Sequence, residues 1–253
     1  MSSKVVSIHS FRGGTGKSNS TANIAATVAR YGHRVGIIDT DIQSPGIHVL
    51  FGFDEKNIGH SLNDYLWGRC SIEDTAYDVS SVLKDKLRRS KVYLIPSSIK
   101  AGDIARILRE GFDFGLLSDG FQSLIDVLDL DYLFIDTHPG LNEETLLSLT
   151  ISDVLLVILR PDRQDFQGTA VTIEVARKLE VPEMLLMINK ALPSYDFDAL
   201  KQEAQKTYNV PVAGILPHSE EMMQLASSGI FCLQYPTHPL SKVIETVAKH
   251  IMD

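Results

Sequence analysis

The chain has few cysteines, and their placement excludes two common ways of stabilising a fold. Its 253 residues include two cysteines, Cys70 and Cys232. Neither belongs to a CxxC pair or stands near a pair of histidines, so we expect no disulfide framework and no structural zinc site. Apolar residues make up 44% of the chain, which is enough to build a core without such crosslinks.

Long apolar runs are also absent. No segment approaches the roughly 18 consecutive apolar residues that span a bilayer, and the first predicted strand starts at Val5, which leaves no room for a signal peptide. The last predicted helix, about Leu240 to Ile251, has apolar residues at core-facing spacing, and no basic amphipathic tail follows it. We therefore expect a cytoplasmic protein without a membrane anchor.

A general excess of positive charge is the third absence, since the formal net charge is −8. One basic run does occur, and we interpret it as a solvated helix face. It consists of Lys84, Lys86, Arg88, Arg89 and Lys91. Acidic residues outnumber basic ones over residues 196–253. Non-specific DNA binding therefore stays open as an alternative, but the charge does not support it.

What the sequence does contain is a loop suited to phosphate. The stretch Phe11–Ser18 reads FRGGTGKS, follows the apolar run Val5–Ile8 and opens into a helical pattern over Asn19–Arg30. Its glycines can take positive φ and turn several N–H groups toward one anion, and the helix N-terminus adds its dipole. Lys17 would reach the β- and γ-phosphates of a nucleotide triphosphate, and Ser18 would bind the bridging Mg²⁺. We expect nucleotide contacts from Gly13, Gly14, Thr15, Gly16, Lys17, Ser18 and Asn19.

Acidic side chains follow two other predicted strands. Strand Val35–Ile38 leads to Asp39 and Asp41, and strand Asp131–Asp136 itself ends on an acid. Ligands lie beyond the carboxyl ends of the strands in a doubly wound sheet, so we expect these acids beside the glycine loop. Two acids one residue apart can orient a water and hold the hydration shell of a metal. Asp136 would hold Mg²⁺, usually through a bound water.

Two further segments carry polar or flexible groups at strand ends. After Asp136, Gly140 would offer a free N–H to a γ-phosphate and move when the phosphate leaves. We interpret His138 as solvent-facing or as a simple hydrogen-bond partner. Asn189 follows strand Met184–Ile188, and its carboxamide, which both donates and accepts, suits the edge of adenine.

The succession of strands and helices predicts one α/β domain over residues 1–253. Its architecture is a doubly wound, mostly parallel sheet between helices, as in P-loop NTPases with a Rossmann-like three-layer fold. Further predicted elements are strands Val154–Leu159 and Val212–Leu216 and a helix from about Phe166 to Leu179. Residues 52–120 are the least legible, with weak helical patterns at Ile58–Trp67, Val82–Leu87 and Ile104–Leu108 and a strand at Val92–Ile95.

The motifs described above, in their order along the chain, resemble those of the ParA/MinD family of dimerising ATPases. Phe11–Ser18 is similar to the family's deviant Walker A loop, x-K-G-G-x-G-K-[ST], with Arg12 in the place of its signature lysine. Asp39–Gly46 resembles the family's switch I, D-x-D-x-Q, and Asp136–Gly140 resembles its switch II, D-x-x-P-G. The resemblance extends over nearly the whole chain.

The resemblance implies a slow, Mg²⁺-dependent ATPase that closes into a homodimer on binding ATP. Assembly and release of the dimer would position a cargo, which is a plasmid, a chromosome or a protein complex. The resemblance also implies an unidentified protein activator or cargo adaptor. By the same resemblance, Asp41 positions the attacking water with Asp39 as its supporting neighbour. Arg12 would reach the partner's nucleotide in trans, a task that a planar guanidinium suits. Asn189 would read adenine, and Pro217 would lie in the loop beside the base.

Two other functional classes stay open at this point. The chain could be an ATP-gated adaptor of a secretion, pilus, flagellar or signalling machine with negligible turnover. It could instead use the same loop for phosphoryl transfer, as bacterial tyrosine kinases do, although those relatives carry a tyrosine-rich tail that is not found here. Metal-cluster carriers of the wider family carry a CxxC motif, which is also absent.

Overall fold

The strands of the protein form one eight-stranded sheet in a computed structural model that describes residues 3–84 and 87–253. The strands are β1 Lys4–His9, β2 Arg34–Asp39, β3 Tyr77–Asp78, β4 Lys91–Ile95, β5 Tyr132–Asp136, β6 Val154–Leu159, β7 Glu183–Ala191 and β8 Val212–Pro217. Their order across the sheet is β3-β4-β2-β5-β1-β6-β7-β8. All neighbours are parallel except β3, which runs antiparallel to β4 at one edge.

Helices connect the strands and cover both faces of the sheet. They are α1 Lys17–Arg30, α2 Leu62–Leu66, α3 Ala101–Glu110, α4 Phe114–Val127, α5 Glu143–Thr150, α6 Arg163–Lys178, α7 Phe197–Tyr208, α8 Glu220–Leu225, α9 Phe231–Gln234 and α10 Pro239–Met252. Short 3₁₀ turns lie at Ile47–Phe51, Glu73–Thr75 and Ser80–Val82. The doubly wound, mostly parallel α/β fold is confirmed.

The central strands are apolar on both sides because both of their faces are buried. In β5, Tyr132 and Phe134 pack into the cluster under α1 and α10, whereas Leu133 and Ile135 face the cluster under α2 and α4. All six residues of β6 are buried. Because these central strands run parallel, their carboxyl ends meet at one edge of the sheet.

The predictions for regular elements hold where apolar runs are long, and they hold only in part between residues 52 and 120. There the strand predicted at Val92–Ile95 is β4, and the helix predicted at Ile104–Leu108 lies within α3. Strand Val154–Leu159 has the predicted bounds. The helical pattern over Ile58–Trp67 shrinks to the five residues of α2, with Ser61 and Asp64 forming a capping box. The pattern over Val82–Leu87 is wrong at its start, because Val82 ends a 3₁₀ turn, and residues 85 and 86 lie outside the described residues.

Two residues of the basic run are paired with acids. Arg89 pairs with Asp131, and Lys91 pairs with Asp78, while Lys86 lies outside the described residues. The expected helix is wrong, because the described residues of this run are not helical and Lys91 opens β4. The expected solvent exposure holds for Lys84, Arg88 and Arg89. Within residues 3–84 and 87–253, no helix is both long enough and apolar enough to cross a membrane.

Candidate functional site

The glycine loop connects β1 to α1 at the carboxyl edge of the sheet. Gly14 and Gly16 have φ of 77° and 95°, a left-handed region that glycine enters without steric cost. Gly13 does not lie in this region, so the expected positive φ holds for two of the three glycines. Gly16 is the N-cap of α1, and the unpaired N–H groups of the first helical turn therefore open toward the loop.

Lys17 opens α1 and is buried against Asp136. The Lys17 Nζ lies 3.1 Å from Asp136 Oδ1, which also accepts a hydrogen bond of 3.3 Å from the Thr21 hydroxyl. The other oxygen, Asp136 Oδ2, is buried and has no hydrogen-bond partner among the described residues. Ser18 follows Lys17 in the same turn and is half-buried. The two predicted metal ligands and the phosphate lysine thus belong to one small region.

Asp39 is fully buried and organises the switch I loop. Its Oδ1 accepts the Asp41 N–H at 3.0 Å, and its Oδ2 accepts the Gly46 N–H at 3.2 Å. Burial raises the pKa of Asp39 well above its ordinary value, and the neighbouring carboxylates Asp136 and Asp41 raise it further. Asp39 therefore holds the backbone of Asp41, while its role in the reaction and its contact with a cofactor stay predictions.

Asp41 lies above Asp39 and is joined to switch II by a histidine. Its Oδ1 accepts hydrogen bonds from the Ser44 N–H at 3.2 Å, the Ser44 hydroxyl at 2.9 Å and His138 Nδ1 at 2.7 Å. Burial raises the pKa of Asp41, but the His138 hydrogen bond and the Lys17 charge outweigh burial, and the net shift is downward. Of the two interpretations of His138, the hydrogen-bond partner is confirmed and the solvent-facing side chain is not, because the side chain is 21% exposed and bound to Asp41.

The N–H of Gly140 is already engaged. It donates to the carbonyl of Ser10 at 3.2 Å, and Gly140 has a φ of 86°. The prediction of a free N–H is therefore wrong for this conformation. The hydrogen bond attaches switch II to the start of the glycine loop, and a phosphate contact from Gly140 would require this bond to open.

A cavity of about 370 Å³ opens beside α1, between the ends of β7 and β8. Its lining includes Gly16, Asn19, Asn189 and Pro217, so four of the predicted nucleotide contacts share one space. Its volume falls within the range of small-molecule sites. Met222 adds an apolar side chain to the wall, and this arrangement suits the flat, partly apolar ring of a base.

Asn189 has a task that the sequence does not predict. Its Nδ2 donates to the Thr15 carbonyl at 2.7 Å, and its Oδ1 accepts the N–H of Lys190 at 2.9 Å. Lys190 Nζ in turn donates to the Gly14 carbonyl at 2.8 Å. The end of β7 thus braces the glycine loop from the side. Contact of Asn189 with adenine stays a prediction, since one amide hydrogen and one lone pair are left for it.

Arg12 lies against its own chain. Its Nη1 is 3.3 Å from Asp165 Oδ1 and 3.6 Å from Asp162 Oδ1. Asp165 is buried and also binds Arg160, and Asp162 caps α6 through the N–H groups of its first turn. The guanidinium is 39% exposed, so it is attached to the first turn of α6 and still accessible at the surface.

Comparisons with known proteins agree with this fold. The sequence profile of the family described as an AAA domain matches residues 3–186, which is more than half of the chain. An uncharacterized ATP-binding protein of Methanocaldococcus jannaschii is 25% identical over 249 residues, covering 98% of this chain and 87% of that protein. The cell division ATPase MinD of Pyrococcus furiosus has the same fold, with a TM-score of 0.82, 21% identity and 99% of both chains covered. A ParA family ATPase from Chlorobium tepidum gives a TM-score of 0.78 at 19% identity, with 98% of this chain and 100% of that chain covered.

The chain belongs to the ParA/MinD family of P-loop ATPases. Membership makes it an ATP-binding protein, and the residues present fit a nucleotide with a divalent cation. Asp136 Oδ2, which is buried and has no partner in the part of the chain that the structure describes, supplies the hard oxygen ligand that Mg²⁺ prefers. The carboxylates Asp39, Asp41 and Asp136 surround Lys17, so the region has excess negative charge that a cation would balance.

Thr21 is a further site residue of this ParA/MinD member that sequence reasoning missed. It lies four residues after Lys17 and therefore on the same face of α1, where its hydroxyl donates to the Lys17 carbonyl at 3.0 Å and to Asp136. This spacing is a signal that the sequence does contain. The hydrogen bonds that Lys190 and His138 make have no such local signal, because their partners lie 97 or more residues away in the sequence.

Proposed function

We propose that this chain is a nucleotide-controlled switch that acts in the cytoplasm. It binds ATP with Mg²⁺, closes into a homodimer with nucleotide at the interface and hydrolyses ATP slowly to ADP and phosphate. Its output is the assembly and release of the dimer, which positions or partitions a plasmid, a chromosome or a protein complex. The names of its relatives, a cell division ATPase and a ParA family ATPase, support this class of task.

The observation that carries the proposal is the arrangement of Asp41, whose carboxylate is close enough to Lys17 for the lysine charge to lower its pKa, in the same region as the Lys17–Asp136 pair. Asp41 is held by three hydrogen bonds that all reach Oδ1, and none of the hydrogen bonds of the described residues reaches Oδ2. The lowered pKa keeps this carboxylate ionised. An ionised oxygen beside a phosphate loop can orient a water for in-line attack on the terminal phosphoryl group.

Each remaining residue has a role that follows from its position. The loop N–H groups and Lys17 would hold the β- and γ-phosphates, and Ser18 and Asp136 would hold Mg²⁺ directly or through water. The metal would neutralise the charge that develops on the phosphate oxygens. Asn189 and Pro217 border the cavity that would take adenine.

Arg12 would complete the site of the partner. In the described conformation its guanidinium is held by Asp162 and Asp165, so dimer closure would exchange these contacts for phosphate oxygens of the partner's nucleotide. Its partial exposure and its place beside the glycine loop support this exchange. A protein activator or cargo adaptor would bind the closed dimer.

Phosphate release from ATP in the presence of Mg²⁺ tests the proposal, with nucleotide binding measured separately by a fluorescent ATP analogue. We expect Asp41→Asn, which keeps the shape but loses the charge, to lower the rate at least about 100-fold with binding changed only a few-fold. Glu55→Gln, a change at an exposed acid downstream of switch I, is the matched control and should hydrolyse ATP normally. If Asp41→Asn retains the wild-type rate, Asp41 does not orient the attacking water and the assignment is wrong. If the wild type binds ATP but does not hydrolyse it, the adaptor class replaces the switch.

A further inference from the structure

His138 connects the two switch loops at their tips. Its Nδ1 lies 2.7 Å from Asp41 Oδ1, and because an ionised carboxylate only accepts, Nδ1 carries the hydrogen. The other two donors to this oxygen are both groups of Ser44 and belong to switch I itself. Among the described residues, the hydrogen bond from His138 is therefore the link from Asp41 to a segment outside its own loop.

The backbone around His138 is held from three sides. The carbonyl of His138 accepts the Thr145 hydroxyl at 3.2 Å, and Thr145 lies in the first turn of α5, where Asn142 caps its N–H. The preceding residue, Thr137, donates through both its N–H and its hydroxyl to the carbonyl of Ile8. The following proline, Pro139, restricts the chain further. The imidazole therefore projects from an anchored segment.

The switch loops also touch at their bases. The N–H and the hydroxyl of Thr40 both donate to the carbonyl of Asp136, at 3.0 Å and 3.1 Å. The two loops leave neighbouring strands at this point and meet again where His138 binds Asp41. A closed frame of this kind fixes where Asp41 points, since movement of switch II moves the donor to its Oδ1.

We propose that His138 is a positioning residue that holds Asp41 in the rotamer that orients the attacking water. With Oδ1 occupied by His138 and Ser44, Oδ2 is left for the water. Hydrolysis would then require both switch loops to be in place at once. This inference rests on the function proposed above and names the residue of switch II through which the two loops act together.

Steady-state ATP hydrolysis by three His138 variants tests the proposal. Asn carries its amide nitrogen on Cγ, where the imidazole carries Nδ1, so His138→Asn keeps the donor near its position. His138→Gln moves the nitrogen one carbon further, and His138→Ala removes it. We expect kcat to fall about 10- to 100-fold in the Ala and Gln variants with ATP affinity within about 2-fold. His138→Asn should recover to within about 3-fold of the wild type.

Two outcomes would overturn the proposal. One is a wild-type kcat for His138→Ala, and the other is rescue by Gln but not by Asn, which would assign the role to Nε2. A loss of ATP affinity equal to the loss of kcat would also count against positioning, because it would indicate a damaged binding site.

A measurement without turnover separates this inference from the proposed function. In protein with ¹⁵N-labelled histidine, the His138 Nδ1–H should give a proton signal protected from exchange, identified by its loss in His138→Asn. Asp41→Ala should remove the protection. If the protection persists in Asp41→Ala, the proposed hydrogen bond from His138 to Asp41 is overturned, even if the wild-type protein hydrolyses ATP. If Asp41→Ala removes the protection but the wild-type protein does not hydrolyse ATP, the hydrogen bond between His138 and Asp41 is supported and the proposed switch function is refuted.

Discussion

The glycine loop gives a graded prediction, because its three glycines differ in backbone and surroundings. We consider Gly13→Ala, Gly14→Ala and Gly16→Ala in nucleotide-free protein. A methyl group at position 13 would meet Pro139 at 3.9 Å, an ordinary contact, and φ there is not positive. This variant should be unchanged or up to about 1 kcal/mol more stable, because alanine restricts the unfolded chain.

The other two glycines have positive φ but different neighbours. At position 14 a methyl group has open space, so alanine incurs only the left-handed strain of about 1 to 2 kcal/mol. At position 16 the same strain applies, and the methyl group would lie 2.5 Å from Asn189 Nδ2. Asn189 must then leave the Thr15 carbonyl, which costs about 1 kcal/mol more for the lost hydrogen bond.

Urea unfolding measures the series, with equal m values as a condition for comparing midpoints. The contact with Asn189 is isolated by repeating Gly16→Ala in an Asn189→Ala background. There the cost should fall to that of Gly14→Ala, a coupling of about 1 kcal/mol between positions 16 and 189. Equal costs for Gly14→Ala and Gly16→Ala, or additive effects of the two changes, would refute the brace from β7.

Two further predictions concern the stability of the nucleotide-free protein. Burial, with a smaller contribution from the Lys17 charge, lowers the pKa of His9 to about 3. Between about pH 6.5 and pH 3 the unfolded state therefore binds more protons than the folded state, and the free energy of unfolding falls as the pH decreases. His9→Asn should reduce this pH slope by up to about 1.4 kcal/mol per pH unit in urea titrations, and an unchanged slope would show that His9 is not buried in its neutral form. Asp113 caps α4 by accepting the N–H groups of Gly115 and Leu116; Asp113→Ala should cost about 1 kcal/mol, whereas Asp113→Asn should cost much less, and equal losses would exclude a capping role.

The fold was predictable where the apolar runs of the sequence indicate burial. Central strands such as Val154–Leu159 are apolar on both faces, and an unbroken apolar run of this length is typical of a parallel strand covered on both sides. The two-residue strand Tyr77–Asp78 and the short helix Leu62–Leu66 were not predicted with these bounds, because they are stabilised by tertiary neighbours such as β4. Local propensity contains little information about partners of that kind.

The site shows the same contrast between features that the local sequence predicts and features that depend on tertiary neighbours. Lys17, Asp39, Asp41 and Asp136 were predicted to meet because parallel strands place their carboxyl ends together, and the structure brings them together. The partner of His138 could not be predicted, because a histidine in a loop has many available acceptors and the sequence does not fix its rotamer. For the same reason the engaged N–H of Gly140 and the brace from Asn189 emerge only from the packed structure.

The central claim is that ATP controls the association of two copies, and the solution mass tests it most directly. Light scattering or sedimentation would be measured with ADP and with ATP and Mg²⁺, for the wild type and for the variants Asp41→Ala and Arg12→Ala. We expect ATP to double the mass of the wild type, Asp41→Ala to keep the doubled form, and Arg12→Ala to stay at the single mass. A mass that ignores the nucleotide while ATP is bound would contradict the account.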